Sequence, residues 1–194
     1  MRQRKLLHLA DLDPQRAAEE LTRDVHARAQ RDARRLGLAL MLPAGLDPKT
    51  TVAAVIGQSK IYKLARACAE WATAGKGKPE EVAAALRELR ADIDGVEPGE
   101  APARERDLTT VAGVTVVAAD ARLALADGRT VEATEVATLA SVDERTIRAA
   151  VKAGTLHPVG TGRPMRFAAD VVRQYLYTRG VPGFGAVLPQ SGPL

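Results

Sequence analysis

The chain has 194 residues, enough for one domain or two small ones, and 46% of them are hydrophobic, enough for a core. Its net charge of +4 permits an anionic partner without requiring one. Aromatic residues are only 3% of the chain, which disfavours single-stranded nucleic acid as a ligand, because single strands are held by stacking bases on rings. Cys68 stands alone, which excludes an intrachain disulfide framework and a cysteine-cluster zinc site. The opening MRQRKLLHLADLD has too short an apolar run for a signal peptide. No stretch approaches the ~20 apolar residues of a membrane span. A soluble, cytoplasmic protein is expected.

Asp13-Pro14 reads as an N-cap and first helical position. Behind it Ala17, Leu21, Val25, Ala29, Ala33 and Leu36 recur every three or four residues, a narrow stripe suited to close pairing with another helix. LPAGLDPKT is a turn-rich break, and Val52, Val55 and Ile56 begin a short helix that Gly57 stops. Ser59 caps the next helix, with Ile61, Leu64, Ala65, Cys68 and Trp71 on its inner face and Gly75 and Gly77 at its end. Pro79 opens another, with Val82, Leu86, Leu89 and Ile93 in register. Residues 1–94 therefore read as an all-helical unit for self-association or for binding a protein partner, and Gly95 to Arg106 as a linker.

From Leu108 to Ala126 two readings compete. Val114 to Val117 is β-branched and Asp127-Gly128 suits a hairpin turn, whereas Val111, Val114, Ala118, Ala121 and Leu125 fit a helix. The helix-forming run AADARLALA favours the helix.

The stretch TEVATLASVDERTIRAAVKAGTLHP, Thr134 to Pro158, carries two short helical patterns around a polar break at Ser141 to Asp143. The first helix, Ala133 to Ala140, buries Val136, Leu139 and Ala140, and Ala137 is small enough for a second helix to cross nearby. Asp143 is expected to cap the second helix with its carboxylate. Ile147 and Val151 face inward, while Arg145, Arg148 and Lys152 point out, which suits a recognition helix lying in a DNA major groove. TLHPVGTGRPMRF then offers a two-stranded β-wing turning at Gly160-Thr161-Gly162, with Arg163 and Arg166 at its tip and stem. AADVVRQYL follows as a short helix packing under the wing.

In that order of elements, residues 131–177 resemble the MerR-like, excisionase-type winged helix-turn-helix domain. The matching segments are EVATLASVDERTIRAAVKAGTLHPV, the glycine-bearing wing turn and RFAADVVRQYL. The resemblance implies double-stranded DNA as partner, the second helix in the major groove and the wing on the backbone or minor groove. The DNA-contacting set expected is Thr134, Asp143, Glu144, Arg145, Thr146, Arg148, Ala149, Lys152, Arg163 and Arg166. Two departures stand out: Ser141 occupies a turn position where the family offers glycine, and the domain lies near the C-terminus rather than the N-terminus. The absence of sensor cysteines argues against a metal or redox sensor.

The fold class expected is mainly α: a helical N-terminal unit, residues 1–94, then a winged helix-turn-helix with a small two-stranded wing, residues 107–180, and a Gly/Pro-rich tail, residues 181–194. Phe184 in that tail either docks on a neighbouring surface or stays free. TVAAVIGQSKIYKLARACAEW could be a second, degenerate helix-turn-helix presenting Lys60, Lys63 and Arg66, although an ordinary helical core is the simpler reading. His8, His26 and His157 are scattered without ligand spacing, and GTGRP lacks the Lys-Ser/Thr ending of a phosphate loop. No catalytic set, cofactor site or metal site is expected. The function expected is sequence-specific DNA binding, as a transcriptional regulator or excisionase-like architectural factor acting as a homodimer or higher homo-oligomer. A phage or plasmid DNA-packaging or maintenance component and an antitoxin-like interaction protein are the alternatives.

Overall fold

The computed structural model describes residues 7–35, 59–94 and 108–185. Gly37, the LPAGLDPKT break, the helix at Val52 to Ile56, the linker and the end of the tail lie outside them, as do the side chains of Ala29, Ala33 and Ile93. The described chain is mainly helical. After a 3-10 turn at Leu9–Asp11 come α1 (Pro14–Arg35), α2 (Lys60–Ala74), α3 (Pro79–Asp94) and α4 (Val111–Ala126). They are followed by β1 (Val131–Glu132), α5 (Ala133–Leu139), α6 (Glu144–Lys152), β2 (Arg166–Phe167) and α7 (Ala169–Thr178). None of these helices is long and apolar enough to cross a membrane.

Local chemistry accounts for the helix ends. Asp13 Oδ1 accepts the Arg16 N–H at 2.9 Å, and Ser59 Oγ accepts the Tyr62 N–H at 3.1 Å. Thr110 Oγ1 does the same for Gly113 N–H at 3.0 Å, which settles residues 111–126 as helix rather than hairpin. Gly75 ends α2 with φ +66, a left-handed conformation that a side chain would strain.

The core is organised around α4. This helix is buried on nearly every side, through Ala112, Val114, Val116, Ala118, Ala121 and Leu125 among others. A helix apolar all round is stable only when surrounded. It is packed by α1, α2 and α3 from one part of the chain and by α5 and α7 from the other. Its alanines let those neighbours come close. Residues 7–94 and 108–185, read from sequence as separate units, thus share one continuous cluster running from Leu9 to Leu176.

The stripe on α1 is also used inside the chain. Ala17, Leu21 and Val25 are buried, with α2 as the principal neighbour of α1. That part of the stripe is unavailable for pairing with a second copy. Ion pairs between helices include Lys60 with Glu88 and Arg90 with Asp120.

Arg122, on α4, is 4% exposed and has a structural task that periodicity did not reveal. Its Nε donates to the Ala72 carbonyl at 2.8 Å, and its Nη2 to the carbonyls of Thr73 at 3.4 Å and Pro182 at 2.6 Å. The guanidinium lies over the Phe184 ring at 4.4 Å from its centroid. Burial lowers its pKa to about 10, still far above neutrality, so the group is charged at pH 7. The cation satisfies carbonyls at the end of α2, the negative pole of that helix, and ties the chain after α7 to the same place. Phe184 is therefore docked. Gly183 is needed there, since a Cβ at that residue would sit 2.5 Å from the Ala74 carbonyl oxygen.

Candidate nucleic-acid interface

The helix pair at residues 133–152 is held from below. Val136, Ala137 and Leu139 of α5 are buried, while Ala140 is only half-buried. Ile147 is the one fully buried side chain of α6, and its burial contributes roughly 1.5–3 kcal/mol. Val151 packs against the same cluster from its edge. The start of α5 is closed by Glu135, whose Oε2 accepts the Glu132 N–H at 2.6 Å. Burial raises the Glu135 pKa, and the Glu132 hydrogen bond partly opposes that shift.

Ser141, the residue standing where the resembled family offers glycine, has φ +53. The left-handed conformation is thus kept without glycine. Its compensation is visible: Ser141 Oγ accepts the Ala10 N–H at 2.8 Å, fastening the N-terminal 3-10 turn to the bend between α5 and α6. Leu7 N–H donates to the Leu108 carbonyl at 3.2 Å beside it. Leu7 and His8 together with Thr134, Ser141, Val142 and Glu144 line a cleft of about 210 Å3.

Asp143 departs from expectation. It occupies the N-cap position of α6, but its carboxylate makes no capping hydrogen bond; its backbone carbonyl accepts the Thr146 N–H at 2.8 Å. The carboxylate is left exposed at the start of the helix. The two-stranded sheet also differs from the expected wing. Instead of pairing mainly within residues 155–167, β2 pairs antiparallel with β1, Val131 opposite Phe167 and Glu132 opposite Arg166. The expected hairpin is reduced to a single bridge, Pro158 to Phe167, with Val159 N–H donating to the Arg166 carbonyl at 2.8 Å. Phe167 is fully buried, and anchoring it draws β2 toward β1.

Thr134, Arg145, Arg148, Ala149, Lys152, Arg163 and Arg166 are exposed, Asp143 with them, and Glu144 and Thr146 are half-exposed. On α6, Arg145, Arg148 and Lys152 follow one another at helical spacing. The start of α5 and the residue before it join this helix to β2. Thr134 Oγ1 donates to Glu144 Oε2 at 3.5 Å, and Arg166 donates to Glu132 Oε1 at 3.1 Å. Two of the five cations are therefore engaged within the protein: Arg166 with Glu132, and Arg148 with Glu144 at 2.6 Å. Arg145, Lys152 and Arg163 have no ion pair among the described residues.

No family model, curated protein or solved structure matches the chain. The surface offers three unpaired cations, two paired ones and a carboxylate at the start of α6, on a scaffold locked by Ile147 and Phe167. The sequence reading did not anticipate the pairing of Arg148 and Arg166. The spacing of Glu144 and Arg148 was its one available sign for the former; nothing local signalled Glu132 opposite Arg166.

The alternative second helix-turn-helix falls partly outside the described residues, since residues 50–58 are not among them. Within them, Lys60 pairs with Glu88 and Arg66 with Glu70 at 2.8 Å, leaving Lys63 exposed. Its helix, α2, buries Ala65, Cys68 and Trp71 as an ordinary core helix does. Burial pushes the Cys68 thiol up to about 12, so it is protonated and unreactive at neutral pH.

Proposed function

We propose that the chain binds double-stranded DNA sequence-specifically through α6 and the wing, in the manner of a MerR-like or excisionase-type winged helix-turn-helix. The observation that carries this reading is the division of α6. Ile147 is fully buried while Arg145, Arg148 and Lys152 project outward on a helix braced by α5. A rigid cationic helix of this kind suits entry into a major groove at a fixed angle. Arg163 lies on the wing, where a phosphate contact positions a protein without reading sequence, and Arg166 beside it is held by Glu132.

With so few unpaired cations, one copy binds weakly, and two copies on paired half-sites are proposed to supply the rest. The regulatory role and the architectural role use the same surface.

The test is selection from a random duplex pool by the purified full-length chain, followed by titration of the recovered sequence. Arg145→Ala/Arg148→Ala is expected to lose preference for that sequence while keeping its thermal stability. Unchanged binding by the double variant would sink the assignment of α6. Recovery of no duplex by the unaltered protein would sink DNA binding altogether.

A further inference from the structure

We propose that Glu144 is a base-reading residue that acts as a unit with Arg148, selecting a cytosine within one base-pair step of a guanine; this rests on the DNA-binding reading above. The geometry is unusual for a surface ion pair. Arg148 Nη2 donates to Glu144 Oε1 at 2.6 Å, and the other carboxylate oxygen faces Thr134 Oγ1, on a different helix, at 3.5 Å. An i,i+4 pair by itself needs no third partner. Here the carboxylate is held from α5 and α6 together, in the first turn of the helix that presents Arg145 and Lys152.

A carboxylate on a DNA-facing surface is repelled by phosphates. Arg148 already offsets that repulsion for Glu144, and a donor on a base edge would give its carboxylate a contact with the DNA itself. In the major groove those donors are the amino groups of cytosine and adenine. The adenine amino group lies beside the N7 acceptor, whose lone pair repels a carboxylate; the cytosine amino group lies beside a C–H edge. Cytosine is thus the base that Glu144 accepts. The Arg148 fork matches O6 and N7 of guanine. Residues one helical turn apart are about 6 Å apart along the axis, less than two base-pair steps. Two side chains already in contact therefore read one G·C pair or two adjacent pairs. The carboxylate also keeps the guanidinium aimed in the free protein, so less side-chain freedom is lost on binding.

The experiment uses the full-length chain and its Glu144→Gln and Glu144→Ala variants, each selected on a random duplex pool and titrated against single-pair replacements. For the unaltered protein, replacing the selected cytosine by thymine is expected to weaken binding about tenfold or more. Glu144→Ala is expected to lose that discrimination. Glu144→Gln keeps an oxygen to accept from Arg148 and an amide that can donate to Thr134 Oγ1, so it preserves the fold, and its amide is expected to move the preference toward adenine. If both variants keep the same base preference at every position, Glu144 reads nothing, and the DNA-binding proposal stands without it. If the unaltered protein enriches no sequence, both proposals fall together.

Discussion

Salt dependence distinguishes a surface with three free cations from one with five. Each phosphate contact releases counterions, so log affinity falls with log salt at a slope of about 0.9 per contact on duplex DNA. Arg145, Lys152 and Arg163 have no ion pair among the described residues, while Arg148 and Arg166 carry Glu144 and Glu132 with them and add little net charge. One copy is then expected to show a slope near 2.7, an affinity loss of about 40-fold between about 50 and 200 mM salt. Five engaged cations would give a slope near 4.5 and a loss of about 500-fold over the same range. Lys152→Gln removes a free cation and should lower the slope by about 0.9 per copy, whereas the double variant Glu132→Gln/Arg166→Gln, which removes both members of a pair, should leave it nearly unchanged. The assay is fluorescence anisotropy on a random-sequence duplex holding one copy, titrated at several salt concentrations. A slope near 4.5, or equal slope changes for Lys152→Gln and Glu132→Gln/Arg166→Gln, would refute the claim that internal pairing neutralises two of the cations.

Three further outcomes follow from the packing. Ser141→Ala keeps the left-handed strain and loses the Ala10 hydrogen bond, so it should cost about 1 kcal/mol; Ser141→Gly relieves the strain and should melt above the alanine variant. Equal melting temperatures would remove the strain from the account. Arg122→Met orphans carbonyls of α2 and of Pro182 and should cost about 2–4 kcal/mol in urea unfolding, and a loss below about 0.5 kcal/mol would contradict its role as the tie between them. Glu135 has its pKa raised by burial, so its ionisation in the folded state is disfavoured. The sign follows: stability from this residue is lost as pH rises from the unfolded glutamate value through the raised folded one. Glu135→Gln, which retains an acceptor for Glu132 N–H, should gain stability relative to the unaltered chain across that window. A gap between the two that is constant with pH would overturn the assignment.

Much of the local structure is legible in the residues themselves. The caps at Asp13 and Ser59, the helix-closing Gly75 and the buried faces of α1, α2 and α3 follow from side-chain chemistry and the helical period. Even the unusual turn was marked by Ser141, whose identity at that position raised the question its hydroxyl answers. The caps, helix ends and stripes depend on neighbours within a turn or two, whereas the Ser141 hydroxyl meets Ala10, 131 residues away. What the chain order could not reveal is which distant segments meet. The tertiary structure alone makes α4 the shared centre of both halves, because an alanine-rich helix is compatible with many neighbours until the others close around it. It gives β2 the strand before α5 as partner rather than the facing arm of the wing, because Phe167 must reach the core. It turns Arg122, one more cation by composition, into a buried tie between carbonyls far apart in the chain. The same long-range geometry sets which exposed cations remain free, since Glu132 and Arg166 become partners only when the sheet brings them together.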